Sequence, residues 1–268
     1  MNMSFYTGML GASAAEKRLG VVGNNLANVN NDGFKPKDAV FSELINYNLN
    51  AGREERTELQ AGASACVVRT NTNFSPSALR STGSLTDYAI GDRNAFFKLR
   101  DPASGKISYT RDGHFHAGEL EEGRFYLLSQ SGKQVLDQNG EPFRAESAAG
   151  IERIMRDAAI RDGLETEEEQ EETEEAEKPY LAVYTLRFPS RLNNVGNNEF
   201  QLREEDSAVN TERLLRHPSL TRGALESSGT DLAKEMTHLI ESQRAFSYAL
   251  KMVQTSDEVE GTINQLRS

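Results

Sequence analysis

The chain has 268 residues and a formal net charge of −11, with 26% charged and 37% hydrophobic side chains. That length suits one large domain or two ordinary ones, and the acidic balance argues against nucleic acid as a partner, because phosphate would be repelled. The single cysteine, Cys66, excludes an intrachain disulfide and reads as a small buried hydrophobe; no apolar run approaches the ~18 residues that span a bilayer, and no basic-then-apolar start marks a cleaved secretory signal.

Residues 3–29 carry apolar or small positions at steps of four and three: Phe5, Met9, Ala12, Glu16, Leu19, Gly23, Leu26, widened by Val22 and Val29. This is helix spacing. Gly8, Gly11, Gly20 and Gly23 each weaken an isolated helix by roughly 1 kcal/mol against Ala. Such a helix frays alone or orders only when another backbone packs closely on it. The helix signal stops at Asn28, with Asn24 and Asn25 in its last turns. Asn30-Asn31-Asp32-Gly33 is a turn by its chemistry, followed by Phe34 and then the extended Lys35-Pro36.

Residues 37–77 read as an irregular arm. Phe41, Leu44, Ile45 and Leu49 suggest a short helix or no regular structure, and Ala65–Arg69 a strand. From about residue 80 the period changes to two and turn residues become dense. Tyr88–Ile90, Phe96–Leu99, Ile107–Thr110, Gly113–Phe115, Phe125–Leu128 and Gln134–Leu136 are expected strands, separated by turns such as Gly118–Gly123 and Gln138-Asn139-Gly140. The stretch 165–177, within an acidic loop 163–178, holds nine Glu and no base and reads as a solvated linker. Leu181–Phe188 and Phe200–Leu202 alternate as strands around an Asn193–Asn198 turn, and 205–224 is loop-like.

From Thr230 onward there is no Pro, and Gly261 is the one Gly, so a long helix is allowed. Thr230 or Asp231 is its expected N-cap. Two seams run along it. One is Leu232, Met236, Leu239, Gln243, Phe246, Leu250, Val253; beside it lies Ala245, Ala249, Met252, Ser256, Val259, Ile263, Leu266. A single helix cannot bury two seams on itself. The expected fold is α+β: terminal helices pairing into a coiled-coil-like shaft, with a central antiparallel β-rich domain. The expected divisions are 1–36, 37–77, 78–204 and 205–268.

Two stretches resemble the rod and hook axial proteins of the bacterial flagellum. GNNLANVNNDGFK, 23–35, is similar to the N-terminal signature of that family. LESSGTDLAKEMTHLIESQRAF, 225–246, continuing to Leu266, is similar to its C-terminal one. YTRDGHF, 109–115, and LNNVGNNEF, 192–200, resemble elements of its β domain. Gly229-Thr230 stands where the family often has Asn-Val, and Ala249 where it often has Asn. The resemblance favours a rod protein over the hook subunit, given the short length and absent central insertion. It implies export through the flagellar type III apparatus without a cleaved signal, and helical polymerisation with itself and other rod and hook proteins. The product would be a shaft that transmits torque and encloses the export channel, with the subunit located in the basal body and not inserted in a membrane.

Phe5, Met9, Leu19, Val22 and Leu26 on the first helix are expected to make the subunit contacts. Leu232, Met236, Leu239, Phe246, Leu250, Val253 and Ile263 are expected to do so on the last, with Gln243 and Arg244 bonding between neighbouring helices. Asn24, Asn25, Asn28, Gly33 and Phe34 are expected to build the turn after the first helix. No catalytic, cofactor or metal site is expected. His114 and His116 lack a third ligand nearby, Arg111-Asp112 reads as a turn ion pair or subunit contact, and no phosphate loop or nucleophile elbow occurs. The alternatives are the hook subunit or a hook-associated accessory, and then an exported wall-modifying enzyme on a rod scaffold.

Overall fold

The computed structural model describes residues 3–44, 47–48, 60–62, 64–84, 86–121, 124–145, 181–206 and 208–267. The acidic stretch 165–177, with its loop 163–178, and the apolar positions Ile45 and Leu49 lie outside the described residues. The chain divides into two compact units. One comprises 1–29, 36–73 and 230–268; the other comprises 30–35 and 74–229.

The first unit is built on helix α1 (Met3–Ala27). Strand β1 (Lys37–Glu43) follows, then the short pair β2 (Tyr47–Asn48) and β3 (Gln60–Ala61), and β4 (Ala65–Thr72). The positions read as a short helix or irregular arm begin instead as a strand. β1 pairs antiparallel with β4 from Lys37↔Thr72 to Glu43↔Ala65, with an irregularity between Val40 and Phe41. Asn25 anchors this ribbon to α1: its Nδ2 donates to Lys37 O at 2.8 Å, and its Oδ1 accepts from Lys37 N at 3.0 Å.

The second unit carries β5 (Leu79–Ser81), β6 (Tyr88–Ile90), β7 (Ala95–Arg100), β8 (Ile107–Thr110), β9 (Phe115–Glu121) and β10 (Arg124–Ser129). Then come β11 (Gln134–Val135), β12 (Arg144–Ala145), β13 (Val183–Leu186), β14 (Asn193–Gly196) and β15 (Glu199–Gln201). The last three are β16 (Glu212–Leu214), β17 (Leu220–Arg222) and β18 (Ala224–Glu226). Among the described residues, ten of these strands form one antiparallel sheet with the path β12-β10-β11-β7-β8-β15-β14; β9 pairs with β10, and β13 with β7 and β16. β17 pairs with β6 and β18 with β5.

Alternation along β7 explains the core. Ala95, Phe97 and Leu99 enter a cluster with Phe115, Leu127, Val135 and Val183, while Phe96 faces a second cluster with Phe74, Tyr109, Leu186 and Phe200. The rings meet edge to face, Phe97 with Phe115 at 5.0 Å and Phe74 with Phe200 at 5.2 Å. Several expectations are corrected here. Residues 205–224 are not a loop but supply β16, β17 and the start of β18. Asn193–Gly196 is strand, leaving Asn197 and Asn198 as the turn, both with positive φ. Gly118 lies within β9, where Leu128 Cδ1 fills the space a Cβ would take.

Helix α2 (Leu232–Arg267) completes the first unit. Asp231 caps it, its Oδ1 accepting from Ala233 N at 3.0 Å and Lys234 N at 3.2 Å. α2 runs antiparallel to α1: Gly8 lies against Val253 and Ala249, and Arg18 pairs with Glu241 at 3.1 Å.

Candidate functional site

The second unit holds a buried charge cluster at the turn 30–35. Lys35 Nζ donates to Glu226 Oε1 at 2.7 Å and to Ser75 O at 2.8 Å. Arg111 Nε donates to the other carboxylate oxygen at 2.8 Å. The remaining guanidinium nitrogens donate to the carbonyls of Ile90, Asp92 and Ala95 at 2.8–2.9 Å. Ser77 N also donates to Glu226 Oε1, at 2.7 Å. All three charged side chains are fully buried. Two cations share one carboxylate, and the carbonyl oxygens supply the negative density that the carboxylate cannot. Burial lowers the Lys35 ammonium below its ordinary range; Glu226 opposes that shift, and Arg111 adds to it.

The turn itself is seated by backbone. Gly33 N donates to Glu226 O at 2.6 Å, and Gly229 N donates to Phe34 O at 2.9 Å. Gly33 has φ +69°, and a Cβ there would lie 2.7 Å from Asp112 N, so both conformation and space require glycine. Asn198 Nδ2 donates to Asp32 O at 3.0 Å, and Arg80 pairs with Asp32 at 2.7 Å. The four stretches that carry the family resemblance each supply a residue here: Gly33 and Lys35, Arg111, Asn198, and Glu226. Arg111 is thus not a turn partner of Asp112 but the buried ligand of a carboxylate 115 positions away. Among the described residues no three metal-ligating side chains converge. His114 Nδ1 lies 3.2 Å from Asp87 Oδ1.

In the first unit the helices meet along small and polar residues. The buried positions of α1 are Gly8, Ala12, Ala14, Ala15, Val22 and Asn25. On α2 they are Glu235, Ser242 and Ser256. Half-buried Leu239, Phe246, Ala249 and Val253 complete that line on α2. A Cβ on Gly8 would lie 2.9 Å from Val253 Cγ2 and 3.2 Å from Ala249 O. The line therefore falls between the two seams read from the sequence, taking Leu239, Phe246 and Val253 from one and Ala249 and Ser256 from the other. The remaining large residues flank it. Met236 and Leu250 lie exposed on one side at 53% and 41%. Met252 and Val259 lie on the other at 42% and 46%. Leu232, Ile263 and Met9 are exposed as well. Phe5, Leu19 and Leu26 are half-buried, and Gln243, Arg244 and Asn24 are exposed. Asn28 Nδ2 donates to Asn24 O at 2.8 Å, and Phe34 is buried.

Two family models match this chain: the flagella basal body rod protein model at residues 5–35, and the flagellar basal body rod FlgEFG protein C-terminal model at 221–266. The chain is 29% identical to the flagellar basal-body rod protein FlgG of Borreliella burgdorferi, across 100% of this chain and 99% of that one. Identity to FlgG of Bacillus subtilis is 28%, across 97% of each chain. Identity to the rod protein FlgF of Mesorhizobium japonicum is 27%, across 100% of this chain and 99% of the other.

The chain belongs to the flagellar basal-body rod protein family. It is a structural subunit of the rod and not an enzyme, and its place is the basal body. No helix among its described residues is long and apolar enough to cross a membrane. The family models cover the two segments that deliver Lys35 and Glu226 to the buried cluster. Sequence reading found these segments as motifs but not their meeting, because 191 positions separate the two charges. It also missed Glu235 and Ser242 on the helix line. The signal was present in Gly8, Ala12, Ala15 and in Ser242, Ala249, Ser256, small residues repeating at heptad intervals where helices approach closely.

Proposed function

We propose that this rod subunit polymerises helically through the outer faces of its terminal helices into a shaft that transmits torque and encloses the export channel. The observation that carries this is the pair of apolar flanks on α2, with Met236 and Leu250 on one side of the α1 contact and Met252 and Val259 on the other. Burying one such side chain contributes roughly 1.5–3 kcal/mol, so several per subunit outweigh the ordering cost of the helices once neighbours are present. A repeating contact that does not close on itself yields a filament rather than a ring. The contact set comprises the exposed Met9, Leu232, Met236, Leu250 and Ile263, with half-buried Phe5, Leu19 and Leu26 beside them; of the other positions expected from the sequence, Val22 is buried and Leu239, Phe246 and Val253 lie on the α1–α2 line within the subunit. Gln243 and Arg244 supply polar contacts to neighbouring helices. The partners are copies of this chain and other rod and hook proteins, reached after passage through the flagellar type III apparatus.

Deleting residues 231–268 is expected to abolish shaft assembly and motility; an intact shaft in that strain would overturn the proposal. Relatives also include a protein named for the hook-basal body complex, FlhP of Bacillus subtilis, 25% identical over 100% of this chain. Immunolabelling of isolated basal bodies separates the readings: label confined to the rod supports a rod position, and decoration along the hook overturns it.

A further inference from the structure

We infer that Met9, Met236 and Met252 are oxidation sites through which a peroxide bars the free subunit from the shaft without unfolding it. This rests on the assembly reading above. The chain has six methionines, of which Met1 and Met155 lie outside the described residues. The four described, Met3, Met9, Met236 and Met252, all stand on α1 or α2, and all are exposed, at 42–53%. The second unit has no methionine among its described residues; its core is Phe, Tyr, Leu, Ile, Val and Ala. The described thioethers are therefore gathered on the unit that leaves apolar surface in solvent.

The reaction is a two-electron oxygen transfer. The thioether sulfur attacks one oxygen of hydrogen peroxide, the O–O bond breaks, an S–O bond forms, and the other oxygen leaves as water. It requires only that the sulfur be reachable. What it changes depends on place. Met236 sits between Leu232 and Ile240, one turn to either side and both exposed. Met252 stands one turn after exposed Tyr248 and two turns before exposed Val259. Met9 stands three residues after exposed Tyr6. Each sulfoxide thus puts a strong acceptor into an apolar face. In the free subunit water bonds that oxygen, and the buried line of Gly8, Ala12, Ala15, Ser242 and Ser256 contains no methionine to disturb. In an assembled contact the same oxygen would be taken out of water against apolar neighbours. Oxidation therefore spares the fold and strikes association, and packing in the shaft would shield the sulfurs afterwards.

The test uses the full chain in a Cys66→Ser background, because peroxide also takes thiols. Hydrogen peroxide is applied to the free subunit, sulfoxides are located by mass spectrometry, and association is followed by sedimentation and electron microscopy. Oxidation at Met9, Met236 and Met252 should leave the Tm unmoved and raise the concentration needed for association by about tenfold or more. Methionine sulfoxide reductases, one for each epimer, should restore association. A chain carrying Met9→Leu, Met236→Leu and Met252→Leu keeps the apolar volume, and it should associate like the parent both before and after peroxide. That variant retains Met1, Met3 and Met155, so it isolates the three sites. Undiminished association of the oxidised parent, a lowered Tm, a loss that reductase does not reverse, or a Leu variant that departs from this behaviour would each overturn the three sites. If Met236→Glu abolishes association while oxidation does nothing, the oxidation sites are wrong and the assembly reading stands. If neither matters, or the untreated chain never associates, the assembly reading falls as well.

Discussion

The β unit buries Phe96, Phe97, Phe115 and Leu127 among themselves and encloses Lys35, Arg111 and Glu226 with their bonding groups engaged. The helical unit buries Gly8, Ala12, Ala15 and Ser242, and leaves Met236, Leu250, Met252 and Ile263 in solvent. The two units thus place their large apolar residues oppositely. In one, they are consumed inside the subunit, and the structure is complete without help. In the other, the close approach permitted by glycine and alanine brings the helices together along a line of small residues that takes in Leu239, Phe246 and Val253 half-buried, and the remaining large ones are held in reserve outside. A shaft subunit needs both: a body rigid before assembly, and a surface unsatisfied until it.

The sharpest way to break this comparison is to damage the body. Glu226→Gln leaves Lys35 and Arg111 buried without their shared anion. Breaking a buried ion pair from one side costs about 3–5 kcal/mol, so chemical denaturation should show that loss. A change below about 1 kcal/mol would mean that the cluster is hydrated and the body less complete than described.

Tyr88 gives the next largest effect. Its hydroxyl is buried, and burial pushes its pKa up to about 12, with Arg222 opposing. A raised folded-state value means the unfolded chain ionises first, from pH 10 upward. The stability this group confers is whole below pH 10 and is lost as pH rises toward 12, by about 2–3 kcal/mol. Tyr88→Phe should remove that alkaline loss. Lys35 works in the opposite sense. Its folded value is lowered below 10.5, so its contribution is whole above 10.5 and is lost as pH falls through the folded value. Stability followed against pH in the two variants, Tyr88→Phe and Lys35→Met, should therefore diverge from the parent in opposite directions.

Much of this division could be read in the sequence. The Pro-free run after Thr230 gave α2, and Asp231 its cap, because both signals are local. Alternation located β7, β8, β10 and β13 for the same reason. β17 and β18 escaped because three-residue strands have too little pattern, and pairing with β6 and β5, more than a hundred positions earlier, creates them. The helix contact was displaced for a different reason. Hydrophobic spacing selects the largest residues as a seam, whereas Gly8 lets backbones approach and so selects the smallest.

Glycine substitutions sharpen that last point. Ala is favoured over Gly in a helix by roughly 1 kcal/mol. At Gly20, where a Cβ meets nothing, Gly20→Ala should stabilise the free subunit by about that amount. At Gly8 the new methyl would meet Val253 Cγ2 and the Ala249 carbonyl, and overpacking costs about 1–3 kcal/mol. Gly8→Ala should then be neutral or destabilising. Equal gains at both positions in thermal melts would show that the helices do not touch at Gly8.

The smallest effect on stability carries the most weight for function. Met236→Glu and Leu250→Glu alter exposed positions flanking the α1 contact, so the Tm of the free subunit should reflect a change within about 0.5 kcal/mol. In an assembled shaft the same carboxylates would be taken out of water against neighbouring apolar side chains with no cation provided, a cost of several kcal/mol repeated in every copy. Normal folding together with lost association is the combination that separates a reserved surface from an incidental one. A variant that unfolds would place these residues in the subunit's own core, and one that assembles normally would leave the flanks without a role.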